Sequence, residues 1–431
     1  MPETSYPPRG KAWLSAIVIF VLTAIALADR MAIAMLIGPI KRDFGIGDFQ
    51  ASLLVGVAFT IFYVLFLLPI GGMADRYSRK AVLAVCLVIW SLATMACGFA
   101  GGFISLFVLR MLVGAGEAAI GPCSHGIIGD SFQREALAKP LALQGIGFQV
   151  GPALGVAAAG AILTAGAAGA FAGWPVLGEL APWRVAFVLI GLPGIAALLL
   201  VPLLHAPKQI VSAAKSAEPV LPFLRRNAKL MTLVYLCAGV SAMPLGVVTG
   251  WVPEYLQRVL GVSPMAAGAT MGSILLIAAV VGQGVYSVIV DWLAARGMKD
   301  APIKVGLLPA VLAIPLTWLA FDAPDAQTFS GWMLAFLLCI TPFNALNNTV
   351  AQQIAPGALR SRIAAQMILS ISIIGFALAP ALVGWLSEYV FGEAQLATAM
   401  RLVMCGAAAL NLVLLLMLIK PLIGYLNSRI D

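Results

Sequence analysis

The stretch GGMADRYSRK, Gly71–Lys80, places four charged residues between two long apolar runs. In the whole chain of 431 residues, 61% are hydrophobic and only 10% are charged, and the mean hydropathy is +1.01. Charged residues make up about a quarter of a soluble globular chain. Apolar runs of about 20 residues, each long enough to cross a bilayer core of roughly 30 Å, recur from one end of the sequence to the other. We therefore predict an all-α integral membrane protein.

Glycine, proline and charged residues divide the apolar runs into twelve predicted transmembrane helices. Their approximate bounds are 13–37, 50–73, 80–101, 103–130, 138–165, 182–204, 229–255, 264–293, 302–320, 328–353, 360–388 and 395–422. The predicted domains are an N-terminal six-helix bundle at 1–204, a central cytoplasmic loop at 205–228 and a C-terminal six-helix bundle at 229–431. The segment from Gly166 to Pro182 is interrupted by glycine and proline, which predicts an outer loop.

The distribution of lysine and arginine predicts the orientation in the membrane. Nineteen of these residues fall in segments that are inner if the N-terminus is cytoplasmic, and four fall in outer loops. An excess of basic residues in cytoplasmic segments is typical of membrane proteins. We therefore expect both termini to be cytoplasmic, and we attribute the net charge of +8 to topology rather than to a nucleic-acid partner.

A second charged stretch repeats the position of the first. SVIVDWLAAR, Ser287–Arg296, ends the eighth predicted helix as Gly71–Lys80 ends the second. Asp291 follows Asp75 by 216 residues (291 − 75), about half the chain. Together with the twelve predicted helices, this spacing favours a duplicated six-helix unit, which is an architecture of membrane transporters.

Three motifs resemble those of the major facilitator superfamily, and the resemblance covers essentially the full chain. The loop signature Gly-x-x-x-Asp-Arg-x-Gly-Arg-Arg/Lys is matched, with Ser78 in place of its second glycine, at Gly71, Asp75, Arg76, Arg79 and Lys80. RMLVGAGEA, Arg110–Ala118, is similar to the fourth-helix Arg-x-x-x-Gly motif, and GFQVGPALG, Gly147–Gly155, to the fifth-helix Gly-Pro motif. The resemblance implies two six-helix bundles that transport a substrate by alternating access.

The first helix carries the Asp-Arg pair of TAIALADRMAIAML, Thr23–Leu36, and the fourth helix carries Gly-x-Gly-Glu. With these two features, the sequence most resembles the Spinster transporters within the superfamily. The resemblance implies export of lysophospholipids or sphingosine-1-phosphate-like lipids. Organic anion:proton symporters also carry Asp-Arg in their first helix, and the fifth-helix motif also favours multidrug/proton antiporters. A small organic anion:proton symporter and a multidrug/proton antiporter therefore remain as alternatives.

Four charged residues are predicted inside the membrane: Asp29, Arg30, Arg110 and Glu117. Such groups are costly in a bilayer, are neutralised by one another and are by default functional. We hypothesise that Asp29 and Glu117 are proton-coupling sites that compete for Arg30. Arg110 then orients Glu117 or attracts an anionic headgroup. Static salt bridges that hold the first and fourth helices together are the alternative.

The tenth predicted helix carries a polar stripe in a half whose helices are otherwise mostly apolar. Thr341, Asn344 and Asn348 follow one another at spacings of three or four. They suit a headgroup or water, and hydrogen bonds between helices explain them equally well. A charged N-terminal half and an apolar C-terminal half suit an amphiphilic substrate. The predicted substrate-binding residues are Arg30, Arg110, Glu117, Thr341, Asn344 and Asn348.

Charged residues at the inner helix ends form a predicted cytoplasmic gate. The family resemblance implies that they lock the two halves together while the protein is open outward. The matching residues are Asp75, Arg76, Arg79, Asp130, Arg134 and Arg362. Positive-inside topology accounts for the basic residues of this set but not for the acids between them. In the fifth helix, we expect Gly147, Gly151 and Gly155 to serve close packing.

The sequence offers little to an enzyme. It has two histidines and no visible arrangement of nucleophile and base. Its six cysteines lie in apolar runs without metal-ligand spacing, which is typical of buried apolar residues. We therefore expect no catalytic residue, no cofactor and no metal. The expected partners are a small amphiphilic lipid, protons and the lipids of a bacterial plasma membrane, in which the protein acts as a monomer.

Overall fold

The computed structural model describes residues 6–206, 220–282, 288–289, 292–293, 296, 298, 301–356 and 359–427. The side chains at positions 134, 220, 301, 302, 342, 344, 345, 348, 352, 360 and 361 are outside this description. Within the described ranges, every regular element is a helix. The prediction of an all-α protein is confirmed.

Six long helices form the first part of the chain. They are α1 (Arg9–Phe44), α2 (Asp48–Arg76), α3 (Arg79–Cys97), α4 (Phe103–Ser131), α5 (Ala138–Ala167) and α6 (Pro182–Leu203). α2 includes a π-helical stretch at Leu53–Val57. Between α5 and α6, residues 168–181 form turns and one short 3-10 helix, Leu177–Glu179. The predicted interruption between the fifth and sixth helices is therefore confirmed.

Eight helices with described bounds follow. They are α7 (Val220–Arg226), α8 (Ala228–Arg258), α9 (Pro264–Gly282), α10 (Ala301–Phe321), α11 (Ala326–Ile340), α12 (Pro342–Ile354), α13 (Arg362–Phe391) and α14 (Leu396–Asn427). In the described part of the chain, eleven helices are long and apolar enough to cross a membrane, and α11 is a shorter apolar helix. The prediction of one continuous tenth helix at 328–353 was wrong. It is divided into α11 and α12, because Pro342 has no N–H to continue the hydrogen bonding of α11.

Contacts between Cα atoms divide the chain into two compact units. Unit 1 comprises Met1–Ile46, Ala58–Ala213 and Gly261–Ser273, and unit 2 comprises Gly47–Val57, Ala214–Leu260 and Ile274–Asp431. α2 and α9 therefore each contribute to both units. The predicted bundles at 1–204 and 229–431, with a loop at 205–228, stay a prediction.

In unit 1, glycine residues set the distance between α1 and α5. Gly147, Gly151 and Gly155 face the backbone of α1 at intervals of four residues. A Cβ at Gly155 would lie 2.0 Å from the carbonyl oxygen of Ala28, so a side chain there would push the two helices apart. The predicted packing role of these glycines is confirmed. The contact also holds the neighbouring Asp29 in the interior of unit 1.

In unit 2, α8 is the central helix. Trp251 is buried and donates a hydrogen bond from its indole Nε1 to the carbonyl oxygen of Pro380 on α13, at 3.0 Å. Tyr255, one turn later, packs its ring 4.9 Å from that of Phe329 on α11 and 5.2 Å from that of Phe321 on α10. These contacts fix α8 against three neighbouring helices.

Candidate functional site

Asp29 is a buried carboxylate on α1, with 2% of its surface exposed. The hydroxyl of Thr94 on α3 donates a hydrogen bond to its Oδ2 at 2.5 Å. Its Oδ1 is buried and has no hydrogen-bond partner among the described residues. One carboxylate oxygen is therefore available to accept a proton or a further donor.

Arg30 follows Asp29 about 100° around the helix, and its side chain lies over aromatic rings of α2. Its guanidinium carbon is 4.1 Å from the ring centroid of Phe59 and 5.5 Å from that of Tyr63. Contacts of this kind stabilise a partly desolvated guanidinium by about 0.5–2 kcal/mol. Phe59 and Tyr63 therefore belong to the site, although neither was among the predicted site residues.

Arg110 of α4 is fully buried. Its Nη2 donates to the backbone carbonyl of Arg30 at 3.4 Å. Its Nε and Nη1 have no hydrogen-bond partner among the described residues. A buried charge is costly unless it is paired and its hydrogen bonds are made. Two guanidinium nitrogens are therefore available to an anion.

Glu117 lies where α4 is interrupted. Two helical segments, Phe103–Glu117 and Ile120–Ser131, are joined by a turn at 118–119. The interruption arises because Pro122 cannot donate a backbone hydrogen bond to the carbonyl of Ala118. Glu117 is 4% exposed, and its Oε1 has no hydrogen-bond partner among the described residues.

Electrostatic interactions join the four charged residues into one cluster in unit 1. Glu117 interacts with Asp29, Arg30 and Arg110, and Asp29 interacts with Arg110. Two acids and two bases balance, so a proton on either acid leaves one positive charge uncompensated. The cluster can thus bind protons and anions together. Within the described ranges, no three His, Cys, Asp or Glu side chains are grouped so as to hold a metal ion.

Gly114 brings α4 close to α2 in this cluster. A Cβ at this position would lie 2.2 Å from the carbonyl oxygen of Phe59 and 3.2 Å from the backbone nitrogen of Tyr63. The first distance is too short for a side chain, and the second is shorter than most contacts of a Cβ atom. The Gly-x-Gly-Glu motif therefore positions the rings beside Arg30 as well as Glu117.

A second set of predicted residues meets where α2 ends, α3 begins and α4 ends. Arg79 pairs with Asp130, and its Nη2 lies 3.8 Å from Oδ1 of Asp75. Arg76 is exposed beside them. Three of the six predicted gate residues are thus brought together within unit 1.

Unit 2 contains a cavity of about 80 Å³. Three polar side chains line it, those of Ser241, Thr341 and Asn347. The Nδ2 of Asn347 donates to Oγ of Ser241 at 2.9 Å, and Oγ1 of Thr341 donates to the carbonyl oxygen of Ala278 at 3.3 Å. The remainder of the wall is apolar and includes Leu245, Ile340, Phe343, Ile371 and Phe376.

The other predicted residues are only partly described. Thr341 lines the cavity, and its substrate-binding role stays a prediction, whereas the side chains of Asn344 and Asn348 lie outside the described residues. The side chain of Arg134 is also outside them, and Arg362 is exposed in unit 2. Asn347 was not predicted, because it falls between the positions of the stripe.

A further ionic cluster, which was not predicted, lies at the start of α2 in unit 2. Arg258 donates from its two terminal nitrogens to the carboxylate of Asp48, at 2.8 and 3.0 Å. Ser387 donates to the same carboxylate at 2.6 Å, and Glu254 and Glu393 lie 3.8 and 3.9 Å from the guanidinium. The bidentate pair anchors the first turn of α2 to the end of α8.

The sequence model of the family Major Facilitator Superfamily matches residues 19–374 of this chain. An MFS-type efflux pump of Mycolicibacterium smegmatis is 26% identical over 411 residues, which cover 94% of this chain and 91% of that protein. Protein spinster of Drosophila melanogaster is 26% identical over 395 residues, which cover 88% of this chain and 62% of that longer protein.

The fold is similar to that of a crystal structure of a bacterial homolog to the human lysosomal transporter Spinster. The TM-score is 0.80 and the sequence identity is 23%, with 98% of each chain covered. The predicted twelve-helix major facilitator fold is confirmed by this likeness.

Proposed function

The chain belongs to the Major Facilitator Superfamily and is an integral membrane transporter related to Spinster; from that premise we propose that it carries lysophospholipids or sphingosine-1-phosphate-like amphiphiles by proton-coupled alternating access. The single observation that carries this proposal is the buried cluster in unit 1. Asp29 and Glu117 each have one buried carboxylate oxygen, and Arg110 has two nitrogens, Nε and Nη1, without a hydrogen-bond partner among the described residues.

The cluster supports coupling of a proton to an anionic headgroup. With both acids ionised, their negative charges compensate Arg30 and Arg110. A proton on Asp29 or Glu117 removes one of these charges, so the attraction of the cluster for an anion rises. The anion and the proton then favour each other's binding. Arg110 supplies the donors for the headgroup, and Arg30 moves between the two acids as they titrate.

The cavity of unit 2 supports an amphiphilic rather than a wholly polar substrate. Its wall is mostly leucine, isoleucine and phenylalanine, which favours a hydrocarbon chain by about 25 cal/mol per Å² of apolar surface buried. The polar side chains of Thr341 and Asn347 suit a hydroxyl or a linking group. We extend the same role to Asn344 and Asn348 from their place in the sequence.

Charged residues at the predicted inner helix ends form the proposed gate. By family resemblance, Asp75, Arg79 and Asp130 act with Arg76, Arg134 and Arg362 as a cytoplasmic gate. The excess of basic residues in the predicted inner segments supports cytoplasmic termini, and the similarity to a protein of Mycolicibacterium smegmatis supports a bacterial plasma membrane. Other members of the superfamily are usually monomers, and we propose the same for this protein.

Two alternatives rest on particular observations. The unpartnered nitrogens of Arg110 suit the carboxylate of a small organic anion as well as a lipid phosphate. The efflux pump of Mycolicibacterium smegmatis is similar over 94% of this chain, which favours a multidrug/proton antiporter as the other alternative.

The test is uptake of a labelled lysophospholipid into proteoliposomes, with and without an imposed pH gradient. We expect the wild type to show gradient-dependent uptake and Asp29→Asn to lose the dependence on the gradient. Asp43→Asn is a matched control, because Asp43 pairs with Arg184 at 2.9 Å and is outside the cluster. Wild-type uptake that ignores the gradient would disprove proton coupling. No lysophospholipid uptake by folded protein would exclude the lipid and direct the assay to small organic anions and drugs.

A further inference from the structure

Thr94 uses its hydroxyl to bond a carboxylate on another helix, as Ser387 does with Asp48. It is fully buried on α3. Hydroxyls at several other helical positions donate to the carbonyl four residues earlier, as in Thr164 to Gly160, Thr317 to Ala313 and Ser131 to Ile127. Thr94 instead donates its single proton to Oδ2 of Asp29 on another helix. This is the one hydrogen bond that the described residues give to the Asp29 side chain.

We propose that Thr94 is a positioning residue that satisfies Asp29 in both of its protonation states by rotation of the hydroxyl. When Asp29 is a carboxylate, Thr94 donates to Oδ2, as in the structure. When Asp29 has taken up a proton, the acid donates that proton to Oγ1 of Thr94. The hydroxyl hydrogen then turns to the carbonyl of Trp90, four residues earlier on α3. One proton enters, one hydrogen bond is added, and no covalent bond changes.

Through Thr94, α3 takes part in the protonation of Asp29, a role that the sequence does not indicate. A hydroxyl is both donor and acceptor, so it can follow a carboxyl group through titration without a movement of the backbone. Valine has nearly the same shape as threonine but can neither donate nor accept a hydrogen bond through its side chain. Serine can do both.

Other charged and titratable groups near Asp29 also affect its protonation. Arg110 and Glu117 on α4 interact with it, and Cys97 lies one turn from Thr94 on α3 and also interacts with it. Arg30 is its neighbour on α1. α5 opposes α1 at this level with glycine backbone. Substitution of Thr94 leaves all of these groups in place.

The experiment is infrared difference spectroscopy of the full-length protein in lipid, as a function of pH. The carbonyl-stretch band of protonated Asp29 is identified by its loss in Asp29→Asn. In Thr94→Val, we expect this band to appear at a pH about one unit higher, because the charge-assisted hydrogen bond lost by the carboxylate is stronger than the neutral one lost by the acid. Thr94→Ser should restore the wild-type pH. Thr317→Val is the matched control, since Thr317 is equally buried but donates to its own helix.

Three results of this experiment would overturn the proposed role of Thr94. An Asp29 band whose pH midpoint is the same in Thr94→Val as in the wild type would overturn it, as would an equal shift in Thr94→Ser. An Asp29 band that does not titrate in the wild type would overturn it too. The consequence for transport rests on the proposed function, but the infrared band does not. If the band shifts as expected while uptake ignores the pH gradient, Thr94 keeps its role and proton coupling fails.

Discussion

Arg110 combines full burial with two nitrogens that lack partners among the described residues. A guanidinium with a purely structural role would have carboxylate or carbonyl acceptors on each donor, as Arg184 has on Asp43 and the carbonyl of Ala100. Arg110 makes a single hydrogen bond of this kind, to the carbonyl of Arg30. Its planar arrangement of five donors matches the oxygens of a carboxylate or phosphate, which the point charge of a lysine cannot do.

We therefore expect Arg110→Lys to reduce uptake about 10- to 100-fold although the charge is kept. The reason is the loss of one charge-assisted hydrogen bond to the substrate, worth about 1.5–3 kcal/mol. The measurement is initial uptake into proteoliposomes over a range of substrate concentrations. Arg184→Lys is the control and should retain uptake. Equal losses in the two variants would show that the guanidinium serves stability rather than binding.

Residues of the site differed in how far the sequence could predict them. Asp29, Arg110 and Glu117 were predictable, because a charge in an apolar run has few explanations other than a pair or a function. Thr94 was not, because a threonine in a membrane helix usually bonds to its own backbone. Only the hydrogen bond from α3 to α1 in the structure shows that its partner is a carboxylate. Phe59 was visible as an aromatic residue, but its contact with Arg30 depends on the approach of α2 to α4.

At the scale of elements, the contact of α5 with α1 decides where the charged cluster lies. Gly155 and the backbone of Ala28 are in direct contact, and Asp29 is the next residue of α1. The backbone cannot yield as a flexible side chain would. An added methyl group must therefore separate the two helices or bend one of them, and either change moves Asp29 relative to Thr94.

We expect Gly155→Ala to lower stability by about 1–3 kcal/mol, the usual cost of overpacking. Gly145→Ala on the same helix is the matched control, because no atom lies within 4 Å of the Cβ it would add. This control should be neutral or slightly stabilising, since alanine favours a helix by up to about 1 kcal/mol over glycine. The measurement is thermal unfolding of the purified protein in detergent. Equal melting temperatures in the two variants would contradict the tight contact at Gly155.

Contacts between helices could be predicted where a local sequence pattern indicates them. The Gly-x-x-x-Gly-x-x-x-Gly spacing of α5 predicted a close helix contact, and the structure has one. The division of α11 from α12 at Pro342 was missed, because proline is tolerated inside many membrane helices. The pair of Asp48 with Arg258 joins residues 210 apart in sequence. No local pattern indicates that these two ends meet, so it could be found only from the structure.

At the scale of the whole molecule, charge and apolar space are divided between the units. Unit 1 holds the buried cluster of Asp29, Arg30, Arg110 and Glu117, whereas unit 2 holds a cavity with a mostly apolar wall. A small organic anion needs only donors such as those of Arg110. An amphiphile also needs apolar surface for its chain. The length of that chain is therefore the property that separates the two substrate classes.

We expect Leu245→Trp to reduce uptake of a long-chain lysophospholipid more than that of a short-chain one. Leu245 lines the cavity of unit 2, and the larger side chain would exclude part of the hydrocarbon. Each excluded methylene costs about 0.8 kcal/mol, a factor of about four in affinity. Leu402→Trp is the matched control, because Leu402 is 52% exposed and lies away from the cavity. The measurement is the ratio of long-chain to short-chain uptake in the two variants. A ratio that falls only in Leu245→Trp would show that the hydrocarbon chain of the substrate binds in unit 2. An unchanged ratio with intact uptake would contradict the chain-binding role of the cavity and favour a substrate recognised by its charge alone.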